Sequence, residues 1–147
     1  MNQPIHDNLE TILTQIFEEW AMMFSDGPIS EIPPGTALEH VGIHFDGEEH
    51  GDIDFWLSKP LIESLVVNVL GLNGPEEITP SDKDDVIREL ANVVCGHFVS
   101  SQFGSEKIFQ LSIPEVNLKT LPPENTDESA KLSIDGNPIF AQINVGG

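Results

Sequence analysis

The sequence predicts an α+β fold, a largely antiparallel sheet with helices packed on it. Three observations predict it. A segment near the start carries apolar residues at helical spacing. Strand-like segments follow one another in pairs separated by turn residues, and two further helical segments sit together between the two groups of strands. The order is helix, two strands, two helices, three strands. Strands joined by short turns pair antiparallel, because parallel neighbours need a long crossover between them.

The first helix is expected over LETILTQIFEEWAMMF (9–24). Leu9, Ile12, Leu13, Ile16, Phe17, Trp20, Met23 and Phe24 form one stripe, and Glu10, Thr11, Thr14, Gln15, Glu18 and Glu19 fill the other side. SDGP (25–28) is expected to stop it, with Gly27 as the C-cap and Pro28 just beyond. ALEHVGIHF (37–45) alternates, with Val41, Ile43 and Phe45 on one face and His40 and His44 on the other. DIDFWLS (52–58) forms a second strand, and the acidic DGEEHG between them is the turn of a hairpin. His40 and His44 do not suit a shared metal ion, since four residues along a strand span roughly 13 Å. The acidic turn lacks the ligand pattern of a calcium loop, and both features read as solvated turn chemistry.

SKPLIESLVVNVLG (58–71) is a short apolar helix with Ser58 as a cap, Pro60 in its first turn and Gly71 at its end. After a polar loop, either Thr79 with Pro80 or Ser81 with Asp84 starts a longer helix running to about Phe103. KIFQLSIPEV (107–116) is a strand in which Pro114 marks an edge, a bulge or the strand's end. LPPENTDES (121–129) is a surface loop. AKLSIDGNPIFAQINV (130–145) is strand, turn and strand, with DGNP as the turn.

The 147 residues suit one domain spanning 1–147, and 39% apolar content suits a packed core. The net charge of −19 repels phosphate backbones and anionic lipid, so neither nucleic acid nor a membrane surface is an expected partner. A salt-rich source is a further reading of that acidity. No apolar run approaches a membrane span, and the start has no basic region followed by an apolar stretch; the expected location is the cytoplasm. One cysteine, Cys95, excludes an internal disulfide framework.

Chemistry concentrates in RELANVVCG (88–96), where Asn92 interrupts a helical run although its amide competes for backbone hydrogen bonds. At 100° per residue, Asp85, Glu89 and Asn92 fall on one narrow face, with Gly96 on the same line a turn later. Ile87, Leu90, Val94 and Phe98 lie opposite and form the buried stripe. Any surface helix needs a polar face, and these residue types are ordinary there. The alignment nevertheless points two carboxylates and an amide outward together, above a glycine that keeps the surface low. Cys95 and His97 flank the core side, where a buried thiol and a satisfied imidazole are expected, since no further group completes a catalytic triad. No metal cluster, nucleophile elbow or phosphate-cradling glycine loop is apparent.

DVIRELAN (85–92), followed after 21 intervening residues by Pro114, resembles the signature of the CheC/CheX chemotaxis phosphatases: Asp or Ser, three residues, Glu, two residues, Asn, then about 22 residues to Pro. LVVNVLG, the loop and ELANVVCG resemble the CheX layout of a short apolar helix before the motif helix, and the likeness covers roughly residues 38–147. His97 departs from the family, which often has a small polar residue there. LVVNVLG (65–71) also echoes LANVVCG (90–96) without the Glu–Asn pair, so the resemblance is to single-site CheX-like members.

The resemblance implies a CheC-like fold and hydrolysis of the aspartyl phosphate of a CheY-like response regulator. Glu89 and Asn92 are then the catalytic pair. Asn92 orients the attacking water, having both a donor and an acceptor, and Glu89 docks to the regulator's Lys. Asp85 either extends that acidic contact or favours the helix N-terminus. Asp85, Glu89 and Gly96 form the partner-binding face, and Pro114 is structural. No cofactor or metal of the chain's own is implied; Mg²⁺ is expected on the phosphorylated regulator. The resemblance also implies a homodimer, with the C-terminal hairpin available to a partner's sheet edge. The other reading is a non-catalytic regulator-binding or scaffold module with the same fold.

Overall fold

The structure, a computed structural model, describes residues 4–117, 122 and 129–146. Three helices, α1 (Ile5–Ala21), α2 (Lys59–Leu70) and α3 (Pro80–Phe103), pack with a mixed-length antiparallel sheet. Its strands are β1 (Ser25–Pro28), β2 (Leu38–Asp46), β3 (Gly51–Ser58), β4 (Gln110–Leu111), β5 (Glu115–Asn117), β6 (Ser129–Ile134) and β7 (Asn137–Val145). The order across the sheet is β1-β6-β7-β3-β2-β4, with β5 also on β2. The expected α+β class and antiparallel pairing are therefore present. Apart from Pro122 and Ser129, the loop expected at 121–129 lies outside the described residues.

The first helix ends earlier than its apolar stripe. Met22 adopts a left-handed conformation (φ 54°), its N–H bonds to the Glu18 carbonyl, and the Met23 N–H bonds to the Phe17 carbonyl. The Met22 bond is the closure of an αL motif, formed here without glycine. It folds Met23 back into the core and turns Phe24 outward, 55% exposed. Gly27 is thus not the cap. SDGP is a strand on β6, with a register irregularity between Ser25 and Gly27 where Gly27 has φ 101°. Asp26 braces that edge: its Oδ2 accepts from the Gly136 N–H at 2.7 Å and the Ser133 hydroxyl at 2.8 Å, which holds its carboxyl below its usual range.

The β6–β7 turn comprises Asp135 and Gly136, at φ 48° and 81° between the paired Ile134 and Asn137. Two successive positive φ values make the primed hairpin turn for which Asp-Gly is suited. On β2 and β3, Val41, Ile43, Phe45, Ile53, Phe55 and Leu57 face the helices and are buried. His40, Gly42, His44, Asp52 and Asp54 alternate to the opposite face. His40 is not solvated as expected from the sequence. It is 9% exposed, bonds Asp54 through Nε2 at 2.7 Å, and lies 5.0 Å from the Trp56 ring centroid. Gly42 permits this, because a Cβ there would stand 2.7 Å from Asp54 Oδ1.

Of the two helix starts open in the sequence, Thr79 is the one used. Its hydroxyl accepts from the Asp82 N–H at 3.0 Å and its own N–H donates back to Asp82 at 3.2 Å, a complete capping box. Ser58 precedes α2 in extended conformation but makes no side-chain cap bond, whereas Gly71 ends α2 in the left-handed conformation. The predicted stripe of α3 is fully buried at Ile87, Leu90, Val94 and Phe98. An aromatic cluster then ties three segments together: Phe45 of β2 lies 6.3 Å from Phe98, 6.0 Å from Phe103 and 6.0 Å from Phe109. These contacts set the chain before β4 at a fixed position relative to α3.

Candidate functional site

Asp85, Glu89 and Asn92 are all exposed on α3, as the helical wheel requires. Together with Arg88 they form one side of an open groove of about 480 Å³, whose other side is Leu111, Ser112, Ile113 and Pro114. Among the described residues, none of the four polar side chains makes a hydrogen bond or an ion pair. Their full bonding capacity faces solvent. That is costless for exposed groups and leaves them free for a partner.

The second wall arises from a mismatch in strand pairing. Phe45 pairs with Leu111 and Gly42 with Glu115, so two residues of β2, Ile43 and His44, face three, Ser112, Ile113 and Pro114. The extra residue is a bulge. Pro114 lacks the N–H that a continuous ladder needs, so the ladder divides there into β4 and β5. Ser112 anchors the bulge to β2, its N–H donating to the His44 carbonyl at 2.8 Å and its hydroxyl accepting from the His44 N–H at 2.9 Å. Ile113 is consequently turned out beside the motif helix, 80% exposed. Pro114, distant in sequence from Asn92, thus lines the same groove.

Gly96 does not join this groove. It borders a separate depression with His97, Ser100 and Ser101, and a Cβ on it would meet nothing within 4 Å. His97 is exposed, not a satisfied imidazole on the core side. The wheel places it near the buried Val86 and Leu90, so helical period alone did not foresee its exposure. Cys95 is buried as expected, and burial pushes its thiol up to about 12. At pH 8 the thiolate fraction is on the order of one in ten thousand. Native protein should therefore resist thiol-specific alkylation at pH 8 for as long as it stays folded, and react promptly in denaturant. Rapid labelling of the folded chain would contradict the buried position.

Sequence reasoning missed Arg88 and Ile113. Arg88 stands within the quoted motif, four residues before Asn92, so helical spacing alone contained the signal. Ile113 carried none, because its exposure comes from the bulge. Sequence reasoning also assigned no metal-ligand spacing. At the start of α1, His6, Asp7 and Glu10 bring ligand atoms within 4.8 Å of one another, and His6 Nε2 lies 2.7 Å from Glu10. Behind the bulge, a second depression of about 360 Å³ is lined by His40, His44, Asp52, Asp54 and Glu115. Each histidine there pairs with its own aspartate, His40 with Asp54 and His44 with Asp52 at 2.9 Å. No described helix is long and apolar enough to cross a membrane.

A three-helix, antiparallel-sheet domain with this motif helix along an open groove is a CheC-like domain, and solved structures agree on the fold. The chemotaxis protein CheX from Vibrio vulnificus matches with a TM-score of 0.73 at 16% identity, over 97% of this chain and 97% of that one. The CheX–CheY–BeF3–Mg²⁺ complex from Borrelia burgdorferi matches with a TM-score of 0.66 at 13% identity, over 99% of each chain. The FliM middle domain from Vibrio alginolyticus matches with a TM-score of 0.56 at 16% identity, over 96% of this chain and 90% of that one. Comparison with curated proteins gives no sequence match. The family described as chemotaxis phosphatase CheX matches residues 41–135, and the chain belongs to that family.

Proposed function

We propose that this chain is a phosphatase of a phosphorylated CheY-like response regulator, acting in the cytoplasm as a single domain over residues 1–147. The observation that carries the reading is the groove itself. Asp85, Glu89 and Asn92 project from a helix, without side-chain partners among the described residues, opposite the bulge at Pro114. Membership of the CheX family supports the reaction class, and the CheX–CheY complex of Borrelia burgdorferi supports the partner.

An aspartyl phosphate is a mixed anhydride with a good leaving group, so placing water in line with phosphorus is the main task left to the phosphatase. The water oxygen bonds to phosphorus as the phosphorus–aspartyl oxygen bond breaks. The electron pair leaves with the aspartate carboxylate, and the water's protons leave with inorganic phosphate. Asn92 holds the water through its amide, which is no base near neutral pH. Glu89 docks to the regulator's Lys, and Asp85 extends the acidic contact. Mg²⁺ belongs to the regulator, and the chain brings no cofactor of its own.

The test is release of inorganic phosphate from a phosphorylated regulator of the same genome. Acceleration over the regulator's own decay supports the enzyme. Tight binding without acceleration selects a non-catalytic docking or scaffold module with the same fold. The same reading has two copies pairing through sheet edges with both α3 faces left open; the β6–β7 hairpin is not the edge expected from the sequence, because β1 and β3 already pair its outer sides, and β1 is the edge on that side. Light scattering is expected to return twice the 16.1 kDa chain mass. A monomer mass across a wide concentration range counts against pairing.

A further inference from the structure

We propose that Arg88 is a third functional group of the groove, one that contacts the phosphoryl oxygens of the regulator while Asn92 holds the water. This inference rests on the phosphatase reading above. Arg88 is the chain's one arginine, in a protein with 25 acidic residues against 6 basic ones. It lies four residues before Asn92 and lines the same groove. Side chains so spaced on a helix start about 5–6 Å apart, so a guanidinium on its long stem sweeps the space above the Asn92 amide.

Two features separate Arg88 from an ordinary surface cation. Three of the other described basic side chains are engaged, Lys83 with Glu39 at 2.8 Å, Lys107 with Glu48 at 3.4 Å and Lys131 with the Ser30 carbonyl at 3.0 Å, and Lys59, unpaired among the described residues, stands at the start of α2 outside the groove. Arg88 makes no ion pair among the described residues, although Asp84 and Asp85 stand four and three residues before it, the spacings at which helix pairs form. The guanidinium stays available in the groove where a phosphorylated partner would dock. The chain's charge of −19 opposes a partner bearing a phosphoryl group, and Arg88 supplies local attraction at the point of contact.

The chemistry favours Arg over Lys. In phosphoryl transfer, charge spreads over three equatorial oxygens around phosphorus. A planar fork of N–H donors meets two of them at once, whereas an ammonium meets them as a point charge. Arg88 forms no bond to phosphorus and moves no proton. It stabilises the phosphoryl group while water attacks and the aspartate carboxylate leaves.

The experiment measures kcat and KM for phosphate release by the full chain and by Arg88→Ala, Arg88→Lys and Asn92→Ala. It adds Kd values for the regulator with and without beryllofluoride and Mg²⁺, beryllofluoride standing in for the phosphoryl group. Arg88 is exposed and alanine is a strong helix former, so Arg88→Ala is expected to melt like wild type. The expected result is a fall in kcat of about tenfold or more in Arg88→Ala, only partly restored by Lys, with loss of the preference for the beryllofluoride form. An unchanged kcat overturns the proposal, as does a loss confined to KM and equal for both regulator forms, which makes Arg88 a docking cation only. If wild type itself releases no phosphate, the phosphatase reading fails separately. The Kd values then decide: a preference for the beryllofluoride form that disappears in Arg88→Ala retains the phosphoryl contact, and equal preference in both proteins removes it.

Discussion

Replacing Asn92 with alanine is expected to lower accelerated dephosphorylation on the order of a hundredfold or more, while regulator binding stays within a few-fold of wild type. The size follows from the role proposed for the amide. A positioned donor or acceptor acting on the reacting water is worth about two to three powers of ten in rate, and its loss falls on kcat. The substitution should not harm the fold. Asn92 is exposed, makes no hydrogen bond among the described residues, and sits opposite the fully buried Leu90 and Val94 stripe. Alanine is the better helix former by a few tenths of a kcal/mol, so the variant should melt no lower than wild type and about a degree higher on that scale. Stopped assays of phosphate release and a thermal melt on the same preparation check both halves. Wild-type turnover in the variant would refute the assignment of Asn92.

Glu89→Lys should weaken regulator binding by at least about tenfold and by clearly more than Glu89→Ala, which removes an exposed contact and costs a few-fold. The reversed charge would oppose the regulator's Lys and also stand beside Arg88, the one basic side chain already in the groove. The defect should shrink as salt rises, because exposed charges are screened within about 10 Å at 0.1 M ionic strength. Titration of each variant against the regulator at two salt concentrations reads this directly. If both variants bind as wild type does, Glu89 is a solvated surface residue with no part in docking.

Much of this protein follows from local sequence. The 3.6-residue period of Ile87, Leu90, Val94 and Phe98 required a helix with Asp85, Glu89 and Asn92 on its outer face, and that is where they stand. Thr79 and Asp82 cap it, Asp135 and Gly136 make the β6–β7 turn, and alternation in β2 and β3 divides the core face from the outer one. Helix faces, caps and two-residue turns depend on residues within a few positions of one another, so they are legible without knowledge of the rest.

Other features depend on partners far along the chain. SDGP has the composition of a turn, and it becomes β1 because β6 and the Asp26 bonds to Ser133 and Gly136 receive it. The stripe of α1 predicted burial of Phe24, yet the left-handed turn at Met22 rotates it outward, and a helical period cannot foresee where the helix stops. The groove is the clearest case. One half was written in the motif, but the other half required β4 and β5 to pair with β2 out of step by one residue. Backbone ladders form between many sequences, so which strands pair, and in which register, is decided by how the buried faces fit together. Here the Phe45, Phe98, Phe103 and Phe109 cluster makes that choice, setting Ile113 and Pro114 beside Asn92. The sequence by itself determined which residues α3 turns outward, and tertiary packing alone decided what stands across from them.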